Sequence, residues 1–198
     1  MTDQTTIGVY DAQAEDYAKL VHQTEPDGHL QGFIDLIADG GFILDLGCGP
    51  AAASAHMRAA GCKVDPVDAS SEMVALANAK YNINARCATF DDISGDGIYD
   101  GIWANFSLLH ADREDLPRLI GTLYASLSEG GIFHIGMKTG SGTKRDQIGR
   151  LYTYVSVGEL YDLLENAGFS VIYTDEGSAK GLDGTFAPWV ICRAVKRG

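Results

Sequence analysis

The strongest chemical signal in this chain of 198 residues is a glycine-rich turn between residues 42 and 52. The sequence FILDLGCGPAA places Gly47 and Gly49 directly after an apolar run, and Ala52 completes the spacing G-x-G-x-x-A. Glycines at such a turn allow positive φ angles and let a ligand approach the main chain closely. This spacing is typical of a turn from a buried strand into a helix at a nucleotide site. It predicts a nucleoside-type ligand without distinguishing one such ligand from another.

Acidic residues at the ends of the predicted strands add to this signal. Asp68 follows Gly47 by 21 positions and closes the second predicted strand, where a carboxylate accepts hydrogen bonds from both hydroxyls of a ribose. A helix N-cap is the alternative role for Asp68. NAD and S-adenosylmethionine both fit this geometry, but Asp45 lies inside the first strand, which is usually apolar in dinucleotide sites. A second acidic pair, Asp91-Asp92, follows the third strand, where it would meet the amino group of an adenine.

These residues are held by apolar runs that alternate with helical patterns along the chain. Such alternation indicates βαβ units and a mostly parallel sheet. We predict strands at residues 42–46, 63–67, 85–88, 100–105, 132–137, 169–174 and 188–195, and helices at 7–22, 30–38, 51–60, 70–81, 113–128 and 156–168. The last two strands are joined by a Gly-rich loop without a helical pattern. We therefore expect them to pair as an antiparallel hairpin at or near the edge of the sheet.

Composition and charge exclude several classes of protein. A length of 198 residues predicts one domain over residues 1–198, and no apolar run is long enough to span a membrane. The net charge of -12 disfavours general binding to nucleic acid or to anionic membranes. The four cysteines are scattered without a C-x-x-C pair, so neither a metal site nor a disulfide framework is expected. We predict reduced thiols in a cytoplasmic protein.

In combination, these motifs resemble those of the class I S-adenosylmethionine-dependent methyltransferases. The resemblance covers nearly the whole chain and departs from the family pattern at Ala51, where the third glycine usually stands. The matching segments are residues 43–50, 67–73, 89–93, 99–104 and 108–110, the opening 10–17 and the late segment 159–169.

The resemblance implies an α/β fold with a doubly wound, Rossmann-like sheet of seven strands and helices on both faces. The strand order would be 3-2-1-4-5-7-6, mostly parallel with strand 7 antiparallel. The cofactor S-adenosylmethionine would lie across the carboxyl ends of strands 1 and 4, and S-adenosylhomocysteine would be the product. Within the single domain, residues 1–40 would form a helical cap and residues 139–154 a lid over the acceptor.

The resemblance also implies contacts of four kinds to the cofactor: a loop at the methionine and ribose portions, a carboxylate on the ribose hydroxyls, residues around the adenine, and a wall beside the methyl group. In that order, they involve Asp45, Gly47, Cys48 and Gly49; Asp68; Ala69, Met73, Phe90 and Asp91; and Asn105 and Phe106. Asp91 would accept a hydrogen bond from the adenine amino group. Tyr10 and Tyr17 would face the ligand from the first helix, with core packing as the alternative for them, for Cys48 and for Met73.

Methyl transfer from a sulfonium is an in-line displacement, for which the protein mainly aligns the nucleophile and excludes water. A general base is needed only when the nucleophile carries a proton that must leave early. The sequence contains no recognisable catalytic triad. His110, just after the fourth strand, is the best acid–base candidate because its pKa range suits proton transfer near neutrality. The alternative is a histidine that hydrogen-bonds the loop backbone or caps the next helix.

A basic segment after the fifth strand gives the clearest indication of the acceptor. The sequence KTGSGTKRDQIGR, residues 138–150, contains four of the 15 basic residues of an acidic chain. We predict a mobile lid that binds a carboxylate or phosphate of a small-molecule acceptor. Its candidate residues are the cations Lys144, Arg145 and Arg150 and the wall residues Tyr152 and Tyr154. A solvated loop that balances nearby acids is the alternative.

Three other functions are compatible with the sequence. One is a non-catalytic module that binds S-adenosylmethionine and regulates another process. An NAD(P)-dependent oxidoreductase is disfavoured by Asp45 and by the terminal hairpin. A methyltransferase that acts on tRNA or another macromolecule is disfavoured by the acidity of the chain.

Overall fold

A central sheet of seven strands organises the computed structural model, which describes residues 3–21 and 24–197. The strands at its centre are buried on both faces, as the near-continuous apolar runs of a parallel sheet require, whereas the edge strands are largely exposed or half-buried. Its strands are β1 (Phe42–Leu46), β2 (Lys63–Asp68), β3 (Arg86–Cys87), β4 (Tyr99–Asn105), β5 (Leu127–Lys138), β8 (Phe169–Lys180) and β9 (Phe186–Lys196), and two short strands, β6 (Thr143–Arg145) and β7 (Leu151–Thr153), form a separate hairpin.

The strand order is β3-β2-β1-β4-β5-β9-β8. The first five of these strands are parallel to one another, whereas β9 is antiparallel to both β5 and β8. This arrangement confirms the predicted order, with β8 and β9 as the sixth and seventh predicted strands. The terminal hairpin is longer than expected because the two strands continue pairing as far as Lys180 and Phe186. Only a short turn of residues 181–185 remains of the predicted loop.

The helices lie on both sides of this sheet. They are α1 (Gln4–Ala12), α2 (Ala14–Leu20), α3 (Gly28–Ile34), α4 (Ala52–Ala59), α5 (Ser71–Tyr81), α6 (Leu116–Ser126) and α7 (Val157–Asn166). Ser70 caps α5 and Ser156 caps α7 through side-chain oxygens that accept backbone hydrogen bonds. One core contains α6 and α7, and another contains Phe33 of α3 and Met57 of α4. None of the helices in the described part of the chain is long and apolar enough to cross a membrane.

The prediction of one continuous helix over residues 7–22 is wrong. The chain forms α1 and α2, separated at Gln13, whose φ of -119° leaves the helical range; residues 22 and 23 lie outside the described part. A straight helix would separate positions 10 and 17 by about 10 Å along its axis. The break instead brings the rings of Tyr10 and Tyr17 into an edge-to-face contact, with centroids 5.4 Å apart.

The predicted lid segment, residues 139–154, contains the β6–β7 hairpin and contacts α1. The Arg145 guanidinium forms an ion pair with Asp3 at 2.8 Å, and the Leu151 N–H donates to the Thr6 hydroxyl at 2.9 Å. The ion pair with Arg145 lowers the pKa of Asp3 below its usual value. The hairpin and the N-terminal helix therefore pack as joined elements above the carboxyl ends of the parallel strands.

We expect Gly47→Ala to destabilise the fold more than Gly40→Ala. Gly47 and Gly40 have similar φ angles of +75° and +74°. An added β-carbon at Gly47 would overlap Ser107, whereas at Gly40 it would have no atom of the described residues within 4 Å. The strained φ costs about 1–2 kcal/mol at either site, and overpacking adds about 1–3 kcal/mol at Gly47. Urea unfolding of both variants measures the difference; equal losses of free energy would contradict it.

Candidate functional site

The turn between β1 and α4 is fixed by backbone contacts to the end of β2. The N–H groups of Gly47 and Cys48 both donate to the Val67 carbonyl oxygen, at 2.8 and 2.9 Å. Ala51 holds a left-handed φ of 60° at the start of α4 and is fully buried. An alanine can therefore occupy the place of the third glycine, although the left-handed conformation disfavours residues with a β-carbon.

Asp45 connects β1 to α4 beneath this turn. Its carboxylate accepts a 2.6 Å hydrogen bond from the Ser54 hydroxyl, and the residue is 2% exposed. Burial disfavours the charged form and raises the pKa of Asp45 to about 7, although the Ser54 hydrogen bond opposes the shift. The sequence motif D-x-G-x-G thus places an acid of neutral pKa directly behind the glycine turn.

Asp68 holds the opposite side of the turn. One carboxylate oxygen accepts from the Gly49 N–H at 2.8 Å, and the other accepts from the Ser70 N–H at 2.9 Å. Burial raises the pKa of Asp68, while these two N–H groups favour its ionised form. A carboxylate offers about four lone-pair positions, so acceptor capacity remains for the hydroxyls of a bound ribose. This residue therefore fits a nucleoside ligand.

Two cavities open at the carboxyl ends of the strands. The first lies beneath α1, and the predicted residues that line it are Tyr10, Tyr17, Gly47, Gly49, Asp68, Ala69, Met73, Phe90, Asn105, Phe106 and His110. The second has a volume of about 550 Å³, and Asp45, Cys48, Arg150 and Tyr152 are the further predicted residues in its lining. A volume of this size is in the usual range of small-molecule sites.

The two cavities share part of their walls. Residues that line both are Tyr10, Tyr17, Gly47, Gly49, Asn105 and Phe106. Phe106 has a positive φ of 58°, a conformation that is uncommon for a bulky residue and that marks a site held by its surroundings. The structure thus brings the glycine turn, the residues after β4 and two tyrosines of the N-terminal helices to one junction.

Tyr10 belongs to a hydrogen-bonded chain that crosses this junction. An Arg150 N–H donates to the Tyr10 hydroxyl oxygen at 2.9 Å. The same hydroxyl oxygen lies 2.9 Å from Nε2 of His110. Nδ1 of His110 lies 2.6 Å from the Leu151 carbonyl oxygen, which can only accept, so Nδ1 carries the proton. Nε2 of a neutral ring then accepts the Tyr10 O–H. Burial lowers the pKa of His110 to about 4, which keeps the ring neutral.

Four of the residues predicted from the sequence lie elsewhere. Asp91 is exposed and pairs with Arg118 at 2.7 Å, outside the linings of both cavities. Arg145 binds Asp3 instead of facing a cavity. The remaining two, Lys144 and Tyr154, contact each other, with the Lys144 ammonium 4.9 Å from the ring centroid.

Sequence reasoning missed several residues of the second cavity, among them Lys138 and Trp189. Lys138 belongs to the basic segment that the sequence singles out, and its position at the end of β5 could have indicated a place at the ligand edge of the sheet. Trp189 lies on β9, for which the sequence pattern gives no comparable signal.

Comparisons with known proteins indicate a methyltransferase domain. Residues 43–131 match a family model described as a methyltransferase domain. An uncharacterized methyltransferase of Staphylococcus carnosus is 29% identical over 128 residues, which cover 64% of this chain and 60% of that protein. A malonyl-[acyl-carrier protein] O-methyltransferase of Erwinia billingiae is 37% identical over 93 residues, covering 45% of this chain and 36% of that protein. The chain thus matches less than two thirds of the length of either relative.

A solved structure shares the fold over nearly the whole chain. It is the 1,6-didemethyltoxoflavin-N1-methyltransferase of Burkholderia thailandensis, with bound 1,6-didemethyltoxoflavin and S-adenosylhomocysteine. The TM-score is 0.76 at 18% identity, and the alignment covers 98% of this chain and 88% of the other. At this identity the comparison establishes a common fold.

We expect His110 to lower the stability of the protein in mild acid. Its pKa is about 4 in the folded state and 6.5 ordinarily, so the unfolded chain binds more protons between these values and stability is lost as pH falls through that window. The loss is on the order of 3 kcal/mol. Urea unfolding at pH 7 and pH 4.5 should show a smaller decline in His110→Gln than in the unmodified protein. Equal losses of unfolding free energy in the two proteins would contradict a neutral, buried His110.

Proposed function

We propose that this chain, which belongs to the class I S-adenosylmethionine-dependent methyltransferase family, transfers a methyl group from S-adenosylmethionine to a small-molecule acceptor. The observation that carries this proposal is the wall shared by the two cavities. One cavity has the acid and apolar residues suited to a nucleoside, and the other is large enough for an acceptor. A reacting pair placed on either side of the junction would meet beside Asn105 and Phe106.

The proposed cofactor residues make different kinds of contact to the ligand. Asp68 is proposed to accept from the ribose hydroxyls, while Ala69, Met73 and Phe90 provide apolar surface for the adenine. Gly47 and Gly49 line both cavities, and the missing β-carbon of Gly47 makes room for Ser107 beside the turn. The other proposed cofactor-site residues are Tyr10, Tyr17, Asp45, Cys48, Gly49, Asn105 and Phe106. Asp91 is not carried into the proposal, because its carboxylate pairs with Arg118.

Catalysis is proposed to rest on alignment and on the exclusion of water. The cofactor supplies, when bound, a methyl group already activated on a sulfonium. The N-terminal helices cover the junction, with Tyr10 and Tyr17 in its wall. Holding the nucleophile at near-attack distance then provides most of the rate enhancement. A reaction of this kind does not require a catalytic triad.

His110 is proposed to act on protons only through Tyr10. Its Nε2 accepts the Tyr10 O–H, so an acceptor hydroxyl would pass its proton to Tyr10 while Tyr10 passes its own to His110. A pKa of about 4 makes the ring a weak base, which suits a proton that leaves late or an acceptor that is already anionic.

The domain organisation and the cellular compartment are proposed from the sequence. Residues 1–198 form one domain, in which residues 1–40 are the helical cap and 139–154 are the acceptor lid. We place the protein in the cytoplasm because of its reduced, scattered cysteines.

Asp68→Asn tests the cofactor site directly. The amide would place an N–H group against a backbone N–H or a ribose hydroxyl, so we expect S-adenosylhomocysteine to bind at least about tenfold more weakly. Asp91→Asn is the matched control and should change affinity by less than about twofold. Calorimetric titration measures both, and urea unfolding of the unliganded variants detects any loss of fold. Equal affinity of the Asp68 variant and the unmodified protein would contradict the assignment.

Two further measurements separate the proposal from its alternatives. Titration with NADH tests the oxidoreductase, and micromolar binding of NADH without binding of S-adenosylhomocysteine would overturn our reading. Release of S-adenosylhomocysteine across a panel of small acceptors distinguishes an enzyme from a binding module. A protein that binds the cofactor but transfers no methyl group to any acceptor, small or macromolecular, would favour the module.

A further inference from the structure

We propose that the second cavity binds the carboxylate of a monoanionic acceptor between Arg150 and Lys138, an assignment that rests on the proposed methyl transfer. Both residues line this cavity, together with aromatic and apolar side chains, the further cation Lys180 and the acids Asp27 and Asp45. Only Arg150 belongs to the three cations that the sequence singles out, and Lys138 is at the opposite end of the basic segment. The proposed site therefore uses the two ends of the basic segment and not the cations in its middle.

Arg150 is a buried cation with unused hydrogen-bond donors. It is 2% exposed, its Nη1 donates to the Tyr10 hydroxyl, and its Nε donates to Asp146 at 2.9 Å. Nη2 lies 2.8 Å from the same Asp146 oxygen, but no acceptor among the described residues is aligned with its N–H groups for a hydrogen bond. Buried donors without an acceptor are costly and rare. A ligand oxygen would satisfy them.

Lys138 provides the second contact from the end of β5. Its ammonium lies 3.9 Å from the centroid of the Tyr152 ring, and no carboxylate of the described residues lies within 4 Å of it. Burial lowers the pKa of Lys138, because the charged form has lost part of its hydration. An anion beside it would restore the lost electrostatic stabilisation.

The local charges favour one negative charge on the ligand. Asp146 compensates the charge of Arg150 through the ion pair. The charge of Lys138 has no partner at contact distance; Asp183 acts on it from farther away, and its carboxylate accepts hydrogen bonds from Thr185. Lys180 and Asp27 also line the cavity and carry opposite charges. About one positive charge therefore remains to be matched, which fits a carboxylate better than a dianionic phosphate.

The other walls favour an aromatic or apolar body on the acceptor. Phe106 and Trp189 line the cavity with their ring centroids 6.3 Å apart, and Tyr152 lies beneath Lys138. Flat hydrophobic groups gain from burial against such rings. Benzoate therefore represents the proposed ligand class as a probe, and benzamide is its neutral counterpart of the same shape.

Calorimetric titration of the protein saturated with S-adenosylhomocysteine tests the proposal. We expect benzoate to bind at least about tenfold more tightly than benzamide. Lys138→Met should weaken benzoate at least about fivefold while leaving benzamide and S-adenosylhomocysteine unchanged. Lys144→Met is the matched control, since Lys144 also lies over a tyrosine ring but outside the cavity lining. It should leave all three affinities unchanged.

Each contrary result has a distinct meaning. Equal binding of benzoate and benzamide, an unchanged benzoate affinity in Lys138→Met, or an equal loss in Lys144→Met would overturn the carboxylate site. Tighter binding of phenyl phosphate than of benzoate would overturn the preference for a monoanion. Failure of S-adenosylhomocysteine to bind would instead contradict the proposed function, and benzoate titration of the unliganded protein would still test the anion site.

Discussion

The hydrogen bonds of the Asp68 carboxylate determine how the first two strand ends meet. One oxygen holds the Gly49 N–H of the β1 turn, and the other holds the Ser70 N–H at the start of α5. A single acid therefore sets the distance between the glycine turn and the next helix, and the first cavity lies between them. Loss of either contact would leave a half-buried carboxylate with fewer donors, which destabilises the turn. The geometry of the site and the stability of the turn depend on the same group.

The N-terminal helix is the second element on which both cavities depend. Besides its contacts to the β6–β7 hairpin, α1 reaches α5, because the Ser70 hydroxyl donates to Asp11 at 2.6 Å. Ser70 in turn caps α5, so helix capping and attachment of the cover share one hydroxyl. Helix α1 is thereby attached to two separate parts of the sheet periphery. Helix α1 also contributes Thr6, Ile7 and Tyr10 to the lining of the first cavity.

Much of the fold could be predicted from the sequence, because buried parallel strands are long apolar runs and the Gly and Ser residues mark their ends. The β1 strand agrees with the prediction to the residue, and α5 begins one residue after its predicted start and ends at the predicted residue. The break at Gln13 could not be predicted, since no glycine or proline marks it and the contact between Tyr10 and Tyr17 is tertiary. Placement of individual charges was less predictable still. Asp91 forms an ion pair with Arg118, 27 positions away in the chain. Such pairings depend on side-chain directions that local sequence patterns do not encode.

The neutral pKa of Asp45 has a thermodynamic consequence for ligand binding. Because burial raises its pKa to about 7, this carboxyl group gains and loses its proton in the range around neutral pH. A positively charged ligand near it stabilises the ionised form and so releases a proton, whereas an uncharged ligand of the same shape does not. Binding of a sulfonium is then coupled to proton release, and its affinity rises with pH around neutrality, while that of the corresponding thioether stays flat. A single buried acid behind a glycine turn can in this way help a site to hold a charged donor and release its neutral product.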